Sequence, residues 1–277
     1  MKKLPRCIAV HDMSGYGKCS LTIAIPVLSA CGVEVCPLPT ALLSANTSFP
    51  GFTLFDFTPE IPAYAAHWAS LNLSPDALYS GFLGSEEQID LIGGIIKSLR
   101  PSLSVVDPVM ADHGVIYKTF TPGMCDGMKR LVALADVVTP NLTEACVLTG
   151  TPYDPSRTDP DDILRLSEKI AALGAKNVIV TGIRRGQKLF NCIFGGGSYS
   201  ERAVPQLSFN MHGTGDLFAS VLVGGLLTGH SLEESVDSAA AFVPFAMQKS
   251  QEYEDWNRRG LCFEPYLPTL SGGVFSL

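Results

Sequence analysis

The stretch that decides the fold reads Phe209-Asn210-Met211-His212-Gly213-Thr214-Gly215-Asp216-Leu217-Phe218-Ala219-Ser220, and it leads into an apolar helical run that continues to Leu227. Glycines carry no Cβ, so backbone N–H groups beside them can approach an anion closely. A helix that begins here adds unpaired N–H donors and the positive end of its dipole. The pattern is typical of a phosphate-binding helix start, and it places Asp216 in the same turn.

A carboxylate beside an anion site suits phosphoryl transfer to an alcohol. Such a reaction needs a base for the hydroxyl group and donors for the migrating negative charge. The candidate base is Asp216, and the candidate anion hole is formed by Gly213, Thr214 and Gly215. The plainer alternative is a helix start in which Asp216 only favours the dipole and the glycines form a turn. The rest of the chain has to separate these interpretations.

Composition limits the classes of protein that the chain can belong to. Of its 277 residues, 46% are hydrophobic, which indicates a sizeable folded core. The formal net charge of −7 argues against a nucleic-acid-binding surface. No apolar run approaches the ~18 residues of a membrane span. The eight cysteines form no Cys-x-x-Cys pair and the first residues resemble no signal peptide, so we expect reduced thiols and a cytoplasmic location.

Short apolar strands alternate with amphipathic helices along most of the chain. This alternation predicts an α/β fold, with a mostly parallel sheet covered by helices on both faces and one domain over residues 1–277. A hairpin is predicted around three glycines at 195–197, and a polar turn at 11–18 and a surface loop at 52–62 are expected. The predicted strands cover residues 7–10, 33–43, 77–80, 103–106, 137–139 and 177–181.

Two nucleotide motifs are absent from the glycine turn after the first strand. The dinucleotide fingerprint lacks its third glycine, because Ser20 holds that place. A P-loop would need Ser or Thr after Lys18, where the chain has Cys19. A nicotinamide-dependent oxidoreductase is therefore not favoured.

Polar residues follow several predicted strands, at the edge where parallel sheets bind ligands. Asp107, Asn141 and Glu144 offer the hard oxygen atoms that suit Mg²⁺ or its waters. Each also has a plain structural interpretation, because Asp before proline starts turns and Asn before a helix is a good cap. Asp12, Thr47 and Thr181 follow other strands.

Taken together, these motifs resemble those of the pyridoxal kinase branch of the ribokinase-like kinases. The resemblance extends over nearly the whole chain. It is carried by the segments Ser80-Gly81-Phe82-Leu83-Gly84, Asp107-Pro108-Val109-Met110-Ala111-Asp112, Pro140-Asn141-Leu142-Thr143-Glu144, Gly213-Thr214-Gly215-Asp216 and Gln251-Glu252-Tyr253-Glu254.

The resemblance implies a three-layer sandwich with a mostly parallel central sheet. It also implies an enzymatic activity. That activity is ATP-dependent phosphorylation of the 5′-hydroxymethyl group of pyridoxal, pyridoxamine or pyridoxine. Asp216 would take the alcohol proton, and Gly213, Thr214 and Gly215 would hold the γ-phosphate. The family also implies Mg²⁺ with ATP, a monovalent cation such as K⁺, and a homodimer.

The resemblance further assigns binding roles to other residues. Nucleotide-binding roles fall on Asp107, Asn141, Thr181 and Tyr117. Metal-binding roles fall on Asp107, Glu144 and Asn141, mostly through water. Substrate-binding roles fall on Asp12, Ser14, Thr47 and Phe82.

Two departures from the branch concern the choice of substrate. Asp12 stands where pyridoxal kinases usually have Ser, and the segment 12–17 is more similar to hydroxymethylpyrimidine kinases. Phe82 replaces the usual Tyr. One hypothesis is that Asp12 pairs with the amine of pyridoxamine. Hydroxymethylpyrimidine kinase of thiamine synthesis stays an alternative, as does a non-catalytic B6-binding protein.

Overall fold

The structure is a computed structural model that describes residues 3–276. Strands and helices alternate through most of this range, as the sequence predicts. The strands are β1 (Arg6–Ser14), β2 (Glu34–Leu43), β3 (Leu54–Asp56), β4 (Ala77–Ser80), β5 (Leu103–Val106), β6 (Ala111–Asp112), β7 (Val115–Ile116), β8 (Val137–Val138), β9 (Asn177–Arg185), β10 (Lys188–Gly195) and β11 (Ser198–Pro205). The helices are α1 (Leu21–Ala30), α2 (Ile61–Ser70), α3 (Glu86–Leu99), α4 (Pro122–Val132), α5 (Leu142–Thr149), α6 (Pro160–Ala171), α7 (Thr214–Leu227), α8 (Leu232–Ser250) and α9 (Trp256–Arg259). Two 3-10 segments cover Thr58–Glu60 and Glu264–Gly273.

The chain divides into two compact units, and the first contains the residues up to Tyr79 and from Leu207 onward. Its strands lie in the order β4-β1-β2-β3, with β1 and β2 parallel and β3 antiparallel to β2. Helix α7 packs against α1 and α8. Fully buried apolar side chains such as Ile8, Ile23 and Phe242 form this core. The unit therefore joins the start of the chain to the helix that begins at Thr214.

The second unit is Ser80–Gln206. Its strands lie in the order β11-β10-β9-β8-β5. The strands β5, β8 and β9 run parallel, whereas β9, β10 and β11 form antiparallel hairpins. The predicted hairpin around residues 195–197 is therefore confirmed. The single domain predicted over residues 1–277 stays a prediction.

The start of α3 shows how local sequence sets a helix boundary. Ser85 is extended, and its hydroxyl accepts a hydrogen bond from the N–H of Gln88, as a capping box predicts. The side chain of Gln88 does not return to Ser85, however; its Oε1 accepts the N–H of Gly84 at 2.7 Å. The cap is thus present, with its return bond moved by one residue.

The predictions for residues 11–18 and 52–62 are partly wrong. Strand β1 continues to Ser14, whose backbone is still paired with Leu43 of β2. The strand buries the polar residues His11, Asp12 and Ser14. Their polarity gives a strand the appearance of a turn in sequence. The predicted surface loop contains the strand β3, which pairs with β2 through only three residue pairs and keeps its side chains exposed.

Two other segments are more regular than their sequences indicate. The loop after Met110 contains the small hairpin of β6 and β7, whose two-residue strands are too short to give a periodic pattern. Helix α8 runs through Pro244 without ending there, although the proline predicts an interruption. In the described range, none of the helices is long and apolar enough to cross a membrane.

Candidate active site

The first turn of α7 has the geometry of an anion site. Gly213 precedes the helix with φ +86°, a conformation that favours glycine. A Cβ there would lie 2.5 Å from Cδ1 of Ile23 and 3.0 Å from the carbonyl oxygen of Lys18. No side chain of the described residues caps this helix, so the N–H groups of its first turn, including those of Thr214 and Gly215, are available to an anion.

Asp216 lies in this turn and is held by the loop that precedes α1. The N–H of Ser20 donates to Oδ2 of Asp216 at 2.9 Å. The hydroxyl of Ser20 donates to Oδ1 of Asp12 at 2.6 Å. Ser20 therefore joins two carboxylates, and the structure places Asp12 beside the predicted base.

The electrostatic surroundings raise the pKa of Asp216 to about 7. Burial is the largest cause, and the negative charge of Asp12 adds to it, whereas the N–H of Ser20 lowers the value. A carboxylate with a pKa near the working pH is well suited to accept a proton from an alcohol. The environment of Asp216 is thus compatible with the general-base role that the sequence predicts, and that role stays a prediction.

Asp12 and Ser14 are buried near the end of the strand β1. Burial raises the pKa of Asp12, and hydrogen bonds from Ser20 and Ser14 oppose this effect. The thiol of Cys19 donates to Oγ of Ser14 at 3.3 Å. Burial raises the pKa of Cys19 to about 12, so this thiol stays protonated near neutral pH. Cys19 is therefore a weak donor in this group and not a nucleophile.

In the second unit, Asn141 and Glu144 form a capping box at the start of α5. Oδ1 of Asn141 accepts the N–H of Glu144 at 3.0 Å, and Oε2 of Glu144 accepts the N–H of Asn141 at 2.9 Å. The amide of Asn141 also donates to the carbonyl of Ala111, and Oε1 of Glu144 accepts the N–H of Met110. Both side chains therefore hold the backbone around the predicted nucleotide site.

Asp107 and Glu144 are a pair of buried acids. The hydroxyl of Thr139 donates to Oδ1 of Asp107 at 3.0 Å. Burial raises the pKa of Glu144 well above its ordinary value, and the charge of Asp107 raises it further. Two like charges with hard oxygen atoms in a buried place are what a divalent cation would neutralise. The donor chemistry therefore fits Mg²⁺.

The hydrogen bonds that Asp107 and Glu144 already make limit how these two acids could hold a metal ion. Among residues 3–276, no three His, Cys, Asp or Glu side chains group together as a metal site. Mg²⁺ usually keeps several waters and binds through one or two carboxylates together with substrate phosphates. Asp107 and Glu144 therefore suit contact mostly through water, as the family resemblance implies.

The remaining predicted residues are spread over both units. Thr181 lies beside Asn141 through a parallel bridge, and its N–H donates to the carbonyl of Pro140. The Phe82 ring meets Phe120 edge to face at 6.4 Å, and Tyr117 is exposed. Thr47 is exposed and follows the buried Asn46. The roles predicted for these side chains toward a nucleotide or a substrate stay predictions.

Sequence reasoning missed two residues of these groups. Ser20 precedes an apolar helical run and has the sequence signal of an ordinary helix cap. Thr139 follows a strand beside Pro140 and carries no signal of its own. The partners of both come from distant parts of the chain, 196 residues away for Asp216 and 32 for Asp107.

Comparison with known proteins establishes the family. The sequence profile of phosphomethylpyrimidine kinase matches residues 25–259. The chain belongs to the phosphomethylpyrimidine kinase family. One relative in this group, the pyridoxal kinase PdxY of Haemophilus influenzae, is 31% identical over 249 residues, which cover 83% of each chain.

Solved structures give the same result for the fold. A Bacteroides thetaiotaomicron protein described as a phosphomethylpyrimidine kinase, crystallised with pyridoxal, is 38% identical, with a TM-score of 0.90 over 97% of this chain and 96% of that one. The pyridoxal kinase of Lactobacillus plantarum is 30% identical, with a TM-score of 0.89 over 96% of each chain. The predicted ribokinase-like α/β fold and the prediction of a kinase, a phosphotransferase, are confirmed.

Proposed function

We propose that this phosphomethylpyrimidine kinase family member transfers the γ-phosphoryl group of ATP to the 5′-hydroxymethyl group of a vitamin B6 vitamer. The observation that carries the proposal is the start of α7, where a carboxylate with a pKa of about 7 lies in a helix turn with available N–H donors. The pyridoxal in the 38% identical Bacteroides structure supports a B6 vitamer as the substrate.

The mechanism follows from the first turn of α7. Asp216 accepts the proton of the substrate hydroxyl as the oxygen attacks the γ-phosphorus. The N–H groups of Gly213, Thr214 and Gly215 hold the equatorial oxygens of the phosphoryl group as negative charge moves toward the leaving ADP. Catalysis of this kind depends on positioning and charge stabilisation, with no covalent enzyme intermediate.

The other predicted residues have supporting roles in the proposal. Asp107, Asn141 and Glu144 would hold Mg²⁺, mostly through water, and the ion would neutralise charge on the phosphates. Thr181 and Tyr117 are proposed to contact the nucleotide. Ser14, Thr47 and Phe82 are proposed to contact the ring substrate, and contact of Asp12 with a substrate amine stays the alternative hypothesis for that residue. A monovalent cation such as K⁺ is part of the proposal through the family resemblance alone.

A substrate comparison tests the proposal. ADP release is measured with ATP and, in turn, pyridoxal, pyridoxamine, pyridoxine and hydroxymethylpyrimidine. We expect the highest kcat/KM with a B6 vitamer. A preference for hydroxymethylpyrimidine would instead assign the chain to thiamine synthesis. Intact ATP binding without turnover of any of these alcohols would indicate a non-catalytic B6-binding protein.

A variant of the base makes the test specific to the site. Asp216→Asn keeps the size of the side chain and an acceptor for the N–H of Ser20. We expect nucleotide affinity, measured by calorimetry, to be retained and kcat to fall about 10²- to 10⁴-fold. Near-full turnover by this variant would show that Asp216 is not the base.

A homodimer and a cytoplasmic location are also part of the proposal. Exposed apolar side chains on β2, β3 and α2 support self-association, among them Leu42, Leu54, Phe55 and Tyr64, which are 39 to 58% exposed. Eight free cysteines support a reducing compartment. Sedimentation should show a dimer that Phe55→Glu weakens and Leu4→Glu, at a residue 61% exposed elsewhere in the unit, leaves intact. A monomeric wild-type protein would contradict the dimer.

A further inference from the structure

Ser20 occupies the cap position of α1 without acting as a cap. Its φ of 51° and ψ of −126° are unusual for a residue with a side chain, and its hydroxyl makes no capping bond. The serines that precede α3 and α8 are ordinary by comparison. Ser85 and Ser231 are extended, and each accepts an N–H bond from the third residue of its helix.

Thr22 takes over part of the capping role at this helix start. Its hydroxyl accepts the N–H of Cys19 at 3.1 Å and donates to the carbonyl of Cys19 at 2.7 Å. The loop before α1 is therefore held without the hydroxyl of Ser20. That hydroxyl is left to bond Asp12, while the unusual backbone conformation directs the N–H of Ser20 to Asp216.

A strained backbone persists only where its surroundings fix it, and such residues cluster at functional sites. The carbonyl of Ser20 accepts the N–H groups of Ile23 and Ala24, and the two bonds that Ser20 donates both end on carboxylates. We propose that Ser20 is a positioning residue that links Asp12 to Asp216, and that Asp12 acts on the base through this link and through its charge. The inference rests on the proposed function, because it concerns the base of that reaction.

The charge of Asp12 and the N–H of Ser20 act on Asp216 in opposite directions. The negative charge of Asp12 raises the pKa of Asp216, and the bond from Ser20 lowers it. Cys19, the other titratable group that interacts with Asp216, stays protonated because burial raises the pKa of its thiol to about 12. Asp12 is thus the charged group that sets how readily Asp216 keeps a proton once it has accepted one.

Asp12→Asn separates this role from contact with a substrate amine. An asparagine Oδ1 can still accept the hydroxyl of Ser20, so mainly the charge is removed. We expect the acid limb of the pH profile of kcat/KM to move to lower pH by about half a unit or more. The shift should be equal for pyridoxal and pyridoxamine. Because each substrate is compared with itself between variant and wild type, its own titration cancels.

Ser20→Ala tests the link itself. Loss of the hydroxyl removes the bond to Asp12 that helps to fix the backbone of residue 20, whose N–H then holds Asp216 less firmly, so we expect kcat to fall about tenfold with little change in KM. Ser231→Ala is the matched control, because it removes an ordinary cap from α8 and should leave kcat unchanged. In a double variant with Asp12→Ala, which removes both the charge and the acceptor of the Ser20 hydroxyl, the combined effect on kcat should be smaller than the sum of the two single effects, because both substitutions break the same bond.

The outcomes keep this inference separate from the proposed function. If the wild-type enzyme phosphorylates a B6 vitamer but Asp12→Asn changes only the ratio between pyridoxamine and pyridoxal, Asp12 contacts the substrate and the inference is wrong. Additive effects in the double variant would also overturn it. If the wild type phosphorylates none of the vitamers, the proposed function itself has failed.

Discussion

Asp216→Asn should stabilise the folded protein at the same pH at which it lowers turnover. Burial and the charge of Asp12 raise the pKa of Asp216 from its usual 3.8 to about 7. Between these values the folded protein holds a proton that the unfolded chain has released. The free energy of unfolding of the wild type therefore falls as pH rises from about 4 to 7. Asparagine has no such dependence.

The size of the stability gain follows from the shift in the pKa of Asp216. Roughly three pH units at about 1.4 kcal/mol each give an upper limit of about 4 kcal/mol. Asp216 is half-buried, and solvent screening reduces this figure, so we expect the variant to gain about 2 kcal/mol above pH 7. The gain should shrink toward zero as pH falls to about 4, where the wild-type carboxyl is protonated in both states.

Urea unfolding followed by circular dichroism at pH 5, 6, 7 and 8 measures this difference. Asp161→Asn is the control, because Asp161 is an exposed acid in the first turn of α6. It should change stability little at any of these pH values. A variant at Asp216 that is less stable than the wild type at pH 8, or a gain that is the same at pH 5 and pH 8, would refute the reasoning.

Three further predictions concern other candidate residues in the two units. Gly213→Ala should destabilise the fold by about 1 to 3 kcal/mol in thermal unfolding and lower kcat, whereas Gly229→Ala, also at positive φ but with open space around it, should cost less and leave kcat unchanged. Thr139→Val should raise the KM for MgATP several-fold by removing the bond to Asp107, and Thr139→Ser should restore it. Glu144→Gln should raise the Mg²⁺ concentration needed for half-maximal activity, and an unchanged Mg²⁺ dependence would contradict the proposed metal role.

The local parts of the site could be predicted from sequence. Gly213 and Asp216 lie in one turn, so the glycine conformation, the helix start and the acid are visible together in a short stretch. Asn141 and Glu144 are three residues apart, and the structure gives them the helix-capping role that was the plain interpretation of the asparagine. Such features depend on neighbours in sequence.

The parts that could not be predicted depend on contacts between distant segments. The bond from Ser20 to Asp216 spans 196 residues, and no local pattern distinguishes Ser20 from an ordinary cap. The length of β1 was missed for a related reason. His11 and Asp12 are buried by neighbouring elements, and their polarity hides the strand from any rule based on alternation.

The two prolines of β2 have a consequence for how this protein avoids aggregation. Pro37 and Pro39 stay in register with Ala9 and His11 of β1, although proline has no N–H to donate. Their nitrogens therefore point away from β1, toward the side where β3 covers only residues 41–43. At these two positions that margin lacks donors that a foreign strand would need. Copies of the chain that meet there would do so through side chains rather than through hydrogen bonds from residues 37 and 39.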